Sequence, residues 1–187
     1  MKDLRRDSRR EFIVYRIFDP HKRGTMKQFL LDQFATCYDT NGWFVAVRKA
    51  IDGINVEQAA WKPADEVNCI WETLSHLTYY NNAYLQRFKG IDYEYDVSSN
   101  DETFSTGEYT ESDWQAEIAR FDSVMTEWRS LIETADESKL AELVPNKGDT
   151  TWAEIIGLIT THNAYHGGQI LLLRKLHGNW DPQKGVS

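Results

Sequence analysis

Between Thr151 and Gly178 the chain carries one unbroken helical pattern whose inward stripe is not uniformly apolar. The stripe reads Ile155, Ile159, His162, His166, Gln169, Leu173 and Leu176, in alternating steps of four and three. That rhythm keeps seven side chains on one face of an α-helix. The ends are also marked. Thr151 followed by Glu154 has the form of a capping box, Gly178 stands at the stop position, and Pro182 prevents continuation. Two imidazoles and an amide therefore occupy core-facing positions of a helix of about seven turns. Burying them is costly unless partners are supplied.

Three further helical patterns accompany it. The first is expected from about Lys27 to Asp52, with Leu30, Phe34, Cys37, Asn41 and Phe44 inward and Gly53 as its stop. The second runs from about Ile70 to Lys89 and ends at Gly90. The third begins near Thr110 to Ser112, with the stripe Trp114, Ile118, Phe121, Met125, Trp128, Ile132 and Ala135. A loop through Trp61, Lys62 and Pro63 precedes the second. Two long connections, residues 91–109 and 136–150, flank the third. Strand-type alternation of comparable strength is not found, and no internal repeat is evident. Four helices of this length predict an all-α four-helix bundle. A chain of 187 residues, 41% of them hydrophobic, suits one domain with a substantial core.

Charge and cysteine usage narrow the setting. Residues 1–25 hold eight Lys/Arg against four Asp/Glu, a net +4, which leaves −12 of the total −8 for residues 26–187. The acidic body, residues 26–187, is read as the bundle domain and disfavours nucleic-acid binding. Residues 1–25 are read as a basic N-terminal arm or extension, with Met26 as an alternative start. No apolar run reaches the roughly 18 to 20 residues of a membrane span. Cys37 and Cys69 form no CxxC pair, and a reduced cytoplasmic setting is expected.

His162 and His166, four residues apart, can each give one metal ion a nitrogen. Of the other histidines, His21 falls in the basic arm and His177 at the end of the last helix. Only His76 lies mid-helix, so the expected ligand set is His76, His162 and His166, with a coordination position left open. Three imidazoles suit zinc, nickel and iron alike. Asn163 stands where a metalloprotease of the HExxH type carries its general base, and an amide cannot abstract a proton. Glu72, one turn before His76, is the nearest carboxylate by sequence; it is a base, a partner orienting a ligand, or a plain solvent-facing residue. Asn41 is a polar exception on the first seam and a candidate pocket residue. Tyr79, Tyr80 and Tyr165 lie near the histidines by helical spacing. Tyr165 either aims its hydroxyl at the pocket or packs. Gln169, one turn beyond His166, is placed to bond it. Gly167 and Gly168 point to close approach of another element or to room for a substrate. Cys37 is read as a small core residue, with a soft fourth ligand as the alternative. Trp43, Trp61, Trp71, Trp114, Trp128 and Trp152 are read as core or loop anchors.

The segment Ile70-Trp-Glu-Thr-Leu-Ser-His76-Leu, taken with His162-Asn-Ala-Tyr-His166-Gly-Gly-Gln-Ile, resembles the paired signatures of the DinB-like superfamily. The similarity spans roughly residues 26–182 and is strongest to the YfiT-like branch of metal-dependent hydrolases. It implies up-down-down-up connectivity, one divalent metal held by His76, His162 and His166, and a homodimer. The basic arm departs from the pattern. Relatives include bacillithiol S-transferases and mycothiol-dependent enzymes. The resemblance therefore implies a metal-dependent S-transferase that joins a low-molecular-weight thiol to a small-molecule electrophile. A hydrolase using metal-bound water and a non-catalytic metal-binding stress protein are the alternatives. Thiol transfer asks less of a protein base, because a metal itself lowers the pKa of the nucleophile.

Overall fold

A computed structural model describes residues 25–186. The basic arm expected over residues 1–25 lies outside them apart from Thr25. Seven α-helices are present among the described residues: α1 Met26–Tyr38, α2 Val47–Ala50, α3 Val56–Ala60, α4 Ile70–Phe88, α5 Glu111–Thr134, α6 Glu137–Ala141 and α7 Trp152–His177. The long ones, α1, α4, α5 and α7, form the bundle. Helix α4 packs on α5 and α7, and α1 packs on α7 and α5. Consecutive helices α1 and α4 therefore sit diagonally, as do α5 and α7. This all-α four-helix bundle has the expected up-down-down-up order.

The boundaries follow local chemistry. Thr151 accepts from the Glu154 N–H while the Glu154 carboxylate accepts from the Thr151 N–H. Gly178 takes the left-handed conformation at φ +80° and closes α7, where a Cβ would be strained. The core is aromatic: Trp71, Trp114, Trp128 and Trp152 are buried. Two of the indoles are also pinned by hydrogen bonds, Trp114 Nε1 to the Ile54 carbonyl at 3.0 Å and Trp128 Nε1 to the Asn81 carbonyl at 2.9 Å.

Four expectations are corrected. The first helix does not run to Asp52; α1 stops at Tyr38 and the chain turns before α2. The sequence Asp39-Thr-Asn-Gly42 is the cause, since all four favour turns over helix. Asn41 holds that turn, accepting from the Ala46 N–H at 3.1 Å and donating to the Lys184 carbonyl at 3.2 Å. The segment before α4 contains α3, capped by the reciprocal Asn55–Gln58 box. The connection 136–150 contains α6 and an isolated bridge between Leu143 and Thr151. The tryptophan reading also fails at Trp43, which is 91% exposed. No helix among the described residues is long and apolar enough to cross a membrane.

Candidate metal centre

His76 comes from α4, and His162 and His166 come from adjacent turns of α7. The two helices pack side by side and bring the three rings together. Ring centroids lie 4.6 Å apart for His162–His166, 4.7 Å for His76–His166 and 5.0 Å for His76–His162. One nitrogen from each histidine lies within 4.8 Å of the others. The Nε2 atoms of His76 and His162 approach to 3.0 Å. An ion about 2.0–2.1 Å from each of two nitrogens holds them at most about 4.2 Å apart, so this pair fits a shared metal. Cys37 is not part of the cluster. Its buried Sγ lies 4.0 Å from the Asn163 amide nitrogen, and burial pushes its thiol pKa up to about 12. It is a core residue, and the soft-ligand alternative is not supported.

Two of the remaining ring nitrogens, on His76 and His166, are held from outside the cluster. The Thr103 hydroxyl donates to the Asn100 carbonyl at 2.6 Å. Its single proton is thereby used, so it accepts from His76 Nδ1 at 2.6 Å. This fixes the proton on Nδ1 and leaves Nε2 with its lone pair facing the cluster. Gln169 does the same for His166, its Oε1 accepting from Nδ1 at 2.6 Å. Its amide Nε2 donates to the Tyr165 hydroxyl at 3.1 Å. Phe104 stacks on His76, with centroids 4.0 Å apart and planes inclined by 11°. Thr103 and Phe104 reach the site because a short 3₁₀ turn, Asp101–Thr103, folds the connection 91–109 back against α4.

Burial keeps the imidazoles uncharged. It is the main cause that lowers His76 to a pKa of about 3, with the charges of His166 and His162 adding to it. His162 falls to about 4 by burial and then by the charge of His166. Burial also lowers His166, partly opposed by its bond to Gln169. At neutral pH all three offer lone pairs, as metal ligands must. The cluster sits at one end of a cavity of about 490 Å³. Its other walls include Tyr80, Tyr84, Asn100, Ile155, Leu158 and Ile159, with Tyr165 at the rim.

Other sequence candidates go elsewhere. Glu72 does not line the cavity. One carboxylate oxygen caps α4 by accepting from the Cys69 N–H at 2.8 Å, and the other takes Lys62 Nζ at 2.8 Å. Burial acts to raise its pKa, but the Lys62 ammonium and the Cys69 groups outweigh it and the net shift is downward. A carboxylate so held is a poor base. Asn41 is absent from the cavity wall, being spent on the turn after α1. Tyr80 does line it, with its hydroxyl donating to Asn100 Oδ1 at 3.1 Å. Tyr79 turns away and donates to Asp96 at 2.9 Å. Asn163 is fully buried and exchanges amide hydrogen bonds with Asn81, at 2.8 and 3.1 Å. This pair joins α4 to α7 directly behind the histidines. Gly167 packs against Val47, whereas Gly168 faces open space. Close approach thus accounts for the first glycine only.

Sequence reasoning missed Thr103, Phe104 and Asn100. They lie in the connection 91–109, which has no periodicity to mark them.

The comparisons bear on the fold and the family. The structure of YfiT from Bacillus subtilis, described as "a probable metal-dependent hydrolase with an unusual four-helix bundle topology", superposes with a TM-score of 0.59. The two share 16% sequence identity, and the match covers 88% of this chain and 95% of that one. No curated protein matches the sequence significantly. The pattern of the DinB superfamily matches residues 45–170, a stretch that contains all three histidines, and the chain belongs to that superfamily.

Proposed function

We propose that His76, His162 and His166 hold one divalent metal ion, zinc or nickel foremost and iron next, and that the protein transfers a low-molecular-weight thiol to a small electrophile. The bound ion would supply Lewis acidity and lower the pKa of a coordinated thiol or water toward neutrality. Thr103 and Gln169 orient the ligating rings, and Phe104 closes the far face of His76 to water. Tyr165 accepts from Gln169, and its own proton has no partner among the described residues. We assign it the role of hydrogen-bond donor to the oxygen or leaving group of the electrophile.

The observation that carries thiol transfer is the cavity wall itself. Among the described residues lining it there is no Asp or Glu to serve as general base. Thiol transfer has the smaller need of one. Hydrolysis is the second reading, favoured by the likeness to YfiT and its description.

The test is turnover of an aryl halide by the purified protein with bacillithiol, with cysteine and without thiol. Thiol-dependent turnover that His162→Ala abolishes supports the proposal. Thiol-independent cleavage of an aryl ester, equally sensitive to His162→Ala, replaces it with hydrolysis. Neither activity, with metal retained, leaves a binding protein.

A further inference from the structure

The cavity beyond the histidines has a chemical character of its own. Its walls are the Tyr80 and Tyr84 side of α4 and the Ile155, Leu158 and Ile159 side of α7. Among the described residues lining it, none is Asp, Glu, Lys or Arg. Two cations, Arg87 and Lys147, lie against the Tyr84 ring at 5.5 and 5.8 Å from its centroid and are not part of the wall. The Arg87 donors are already given to the Tyr93 carbonyl and the Tyr95 hydroxyl. Away from the histidine end, an ionised group placed here would lose water and gain no counter-charge from a lining side chain.

The rim carries a second signal. Leu158 is 62% exposed and Tyr165 63% exposed. Both border the cavity, so a molecule filling it would cover them. The volume of about 490 Å³ is that of a site for a small organic molecule. Polar capacity outside the histidines is neutral: the hydroxyls of Tyr80, Tyr84 and Tyr165 and the amides of Asn81 and Asn100.

We infer that the co-substrate is an uncharged, largely apolar or aromatic molecule whose apolar body lies between Tyr80, Tyr84 and the Ile155–Ile159 face of α7, with an acceptor oxygen or halogen turned toward Tyr165. This rests on the proposed function only in taking the cavity as the electrophile's site. A charged group is disfavoured against this part of the wall, away from the histidine end that takes the ion and the thiol. Leu158 is a specificity-determining residue for this site.

Three naphthalenes of matched shape test it: 2-acetylnaphthalene, 2-naphthoate and 2-(aminomethyl)naphthalene. Their dissociation constants are measured by fluorescence titration of the full-length protein, as purified and after chelation. Chelation removes direct coordination of the carboxylate from the comparison. After chelation the ketone should bind at least about tenfold tighter than either ion. Leu158→Asp should weaken the ketone about tenfold, whereas Leu172→Asp, exposed on the same helix but outside the cavity, should leave it unchanged. The inference is overturned if either ion matches the ketone after chelation. It is equally overturned if Leu158→Asp has no effect or Leu172→Asp weakens the ketone as much. Metal content and thiol turnover are separate readouts, so failure of the proposed chemistry would not be mistaken for failure here.

Discussion

Thr103 and Gln169 decide which nitrogen His76 and His166 present to the cluster, because each spends an acceptor on Nδ1. Replacing Thr103 with Val removes the acceptor at almost unchanged volume. The variant should keep its fold and lose about 10- to 100-fold in metal affinity, read by calorimetric titration. Glu72→Gln should behave in the opposite way. It weakens the cap and the Lys62 pair at the start of α4, so urea unfolding should show a loss of about 0.5–2 kcal/mol with metal content unchanged. Asn163→Leu leaves the Asn81 amide without its partner and should cost about 1–3 kcal/mol. The histidines were legible because imidazoles on an apolar stripe conflict with the pattern around them. Glu72 stayed open between base, orienting partner and solvent-facing residue because Cys69 is an unusual N-cap and hid the capping box. Asn163 was excluded as a base on the chemistry of its amide. Its role as a buried clamp depends on Asn81, 82 residues away, and no local pattern pairs them.

Among the elements, the expected inward stripe of α7 fails at Leu176, which is 58% exposed, whereas α7 matched its sequence reading at both ends, where cap and stop agree. The first helix did not, because the 4-3 rhythm of Leu30, Phe34, Cys37, Asn41 and Phe44 ran through a turn sequence that overrode it. The rhythm was right as far as Cys37 and accidental beyond. Helix α2, which follows the turn, meets α7 at Gly167, where an added Cβ would stand 3.1 Å from Val47 Cγ2. Gly168, its neighbour, has nothing within 4 Å. Gly168→Ala should therefore stabilise the protein by about 0.5–1 kcal/mol through helix propensity alone. At Gly167→Ala the crowding of Val47 should cancel or reverse that gain. Urea midpoints of the two variants, measured side by side, check the contrast.

At the scale of the whole molecule, the cluster links stability to pH. In the unfolded chain the imidazoles titrate near 6.5, whereas His76 and His162 fall to about 3 and about 4 when folded. Between those values the unfolded state binds protons that the folded state does not. The metal-free protein should therefore hold its full stability above pH 6.5 and lose it as pH falls toward 4. The urea midpoint should drop between about pH 7.5 and pH 5, and less so in a variant with His76 and His162 replaced by Ala. A metal that binds only the folded state adds stability by mass action, so chelation should lower the unfolding temperature. All of this follows from three side chains, brought from two helices to one point, acting as a single site. The most direct measurement is elemental analysis of protein purified without a histidine tag, beside His76→Ala, His162→Ala and His166→Ala. One divalent ion per wild-type chain, lost in each variant, is the predicted result. A wild type without stoichiometric metal, or a single variant that keeps its full complement, would contradict it.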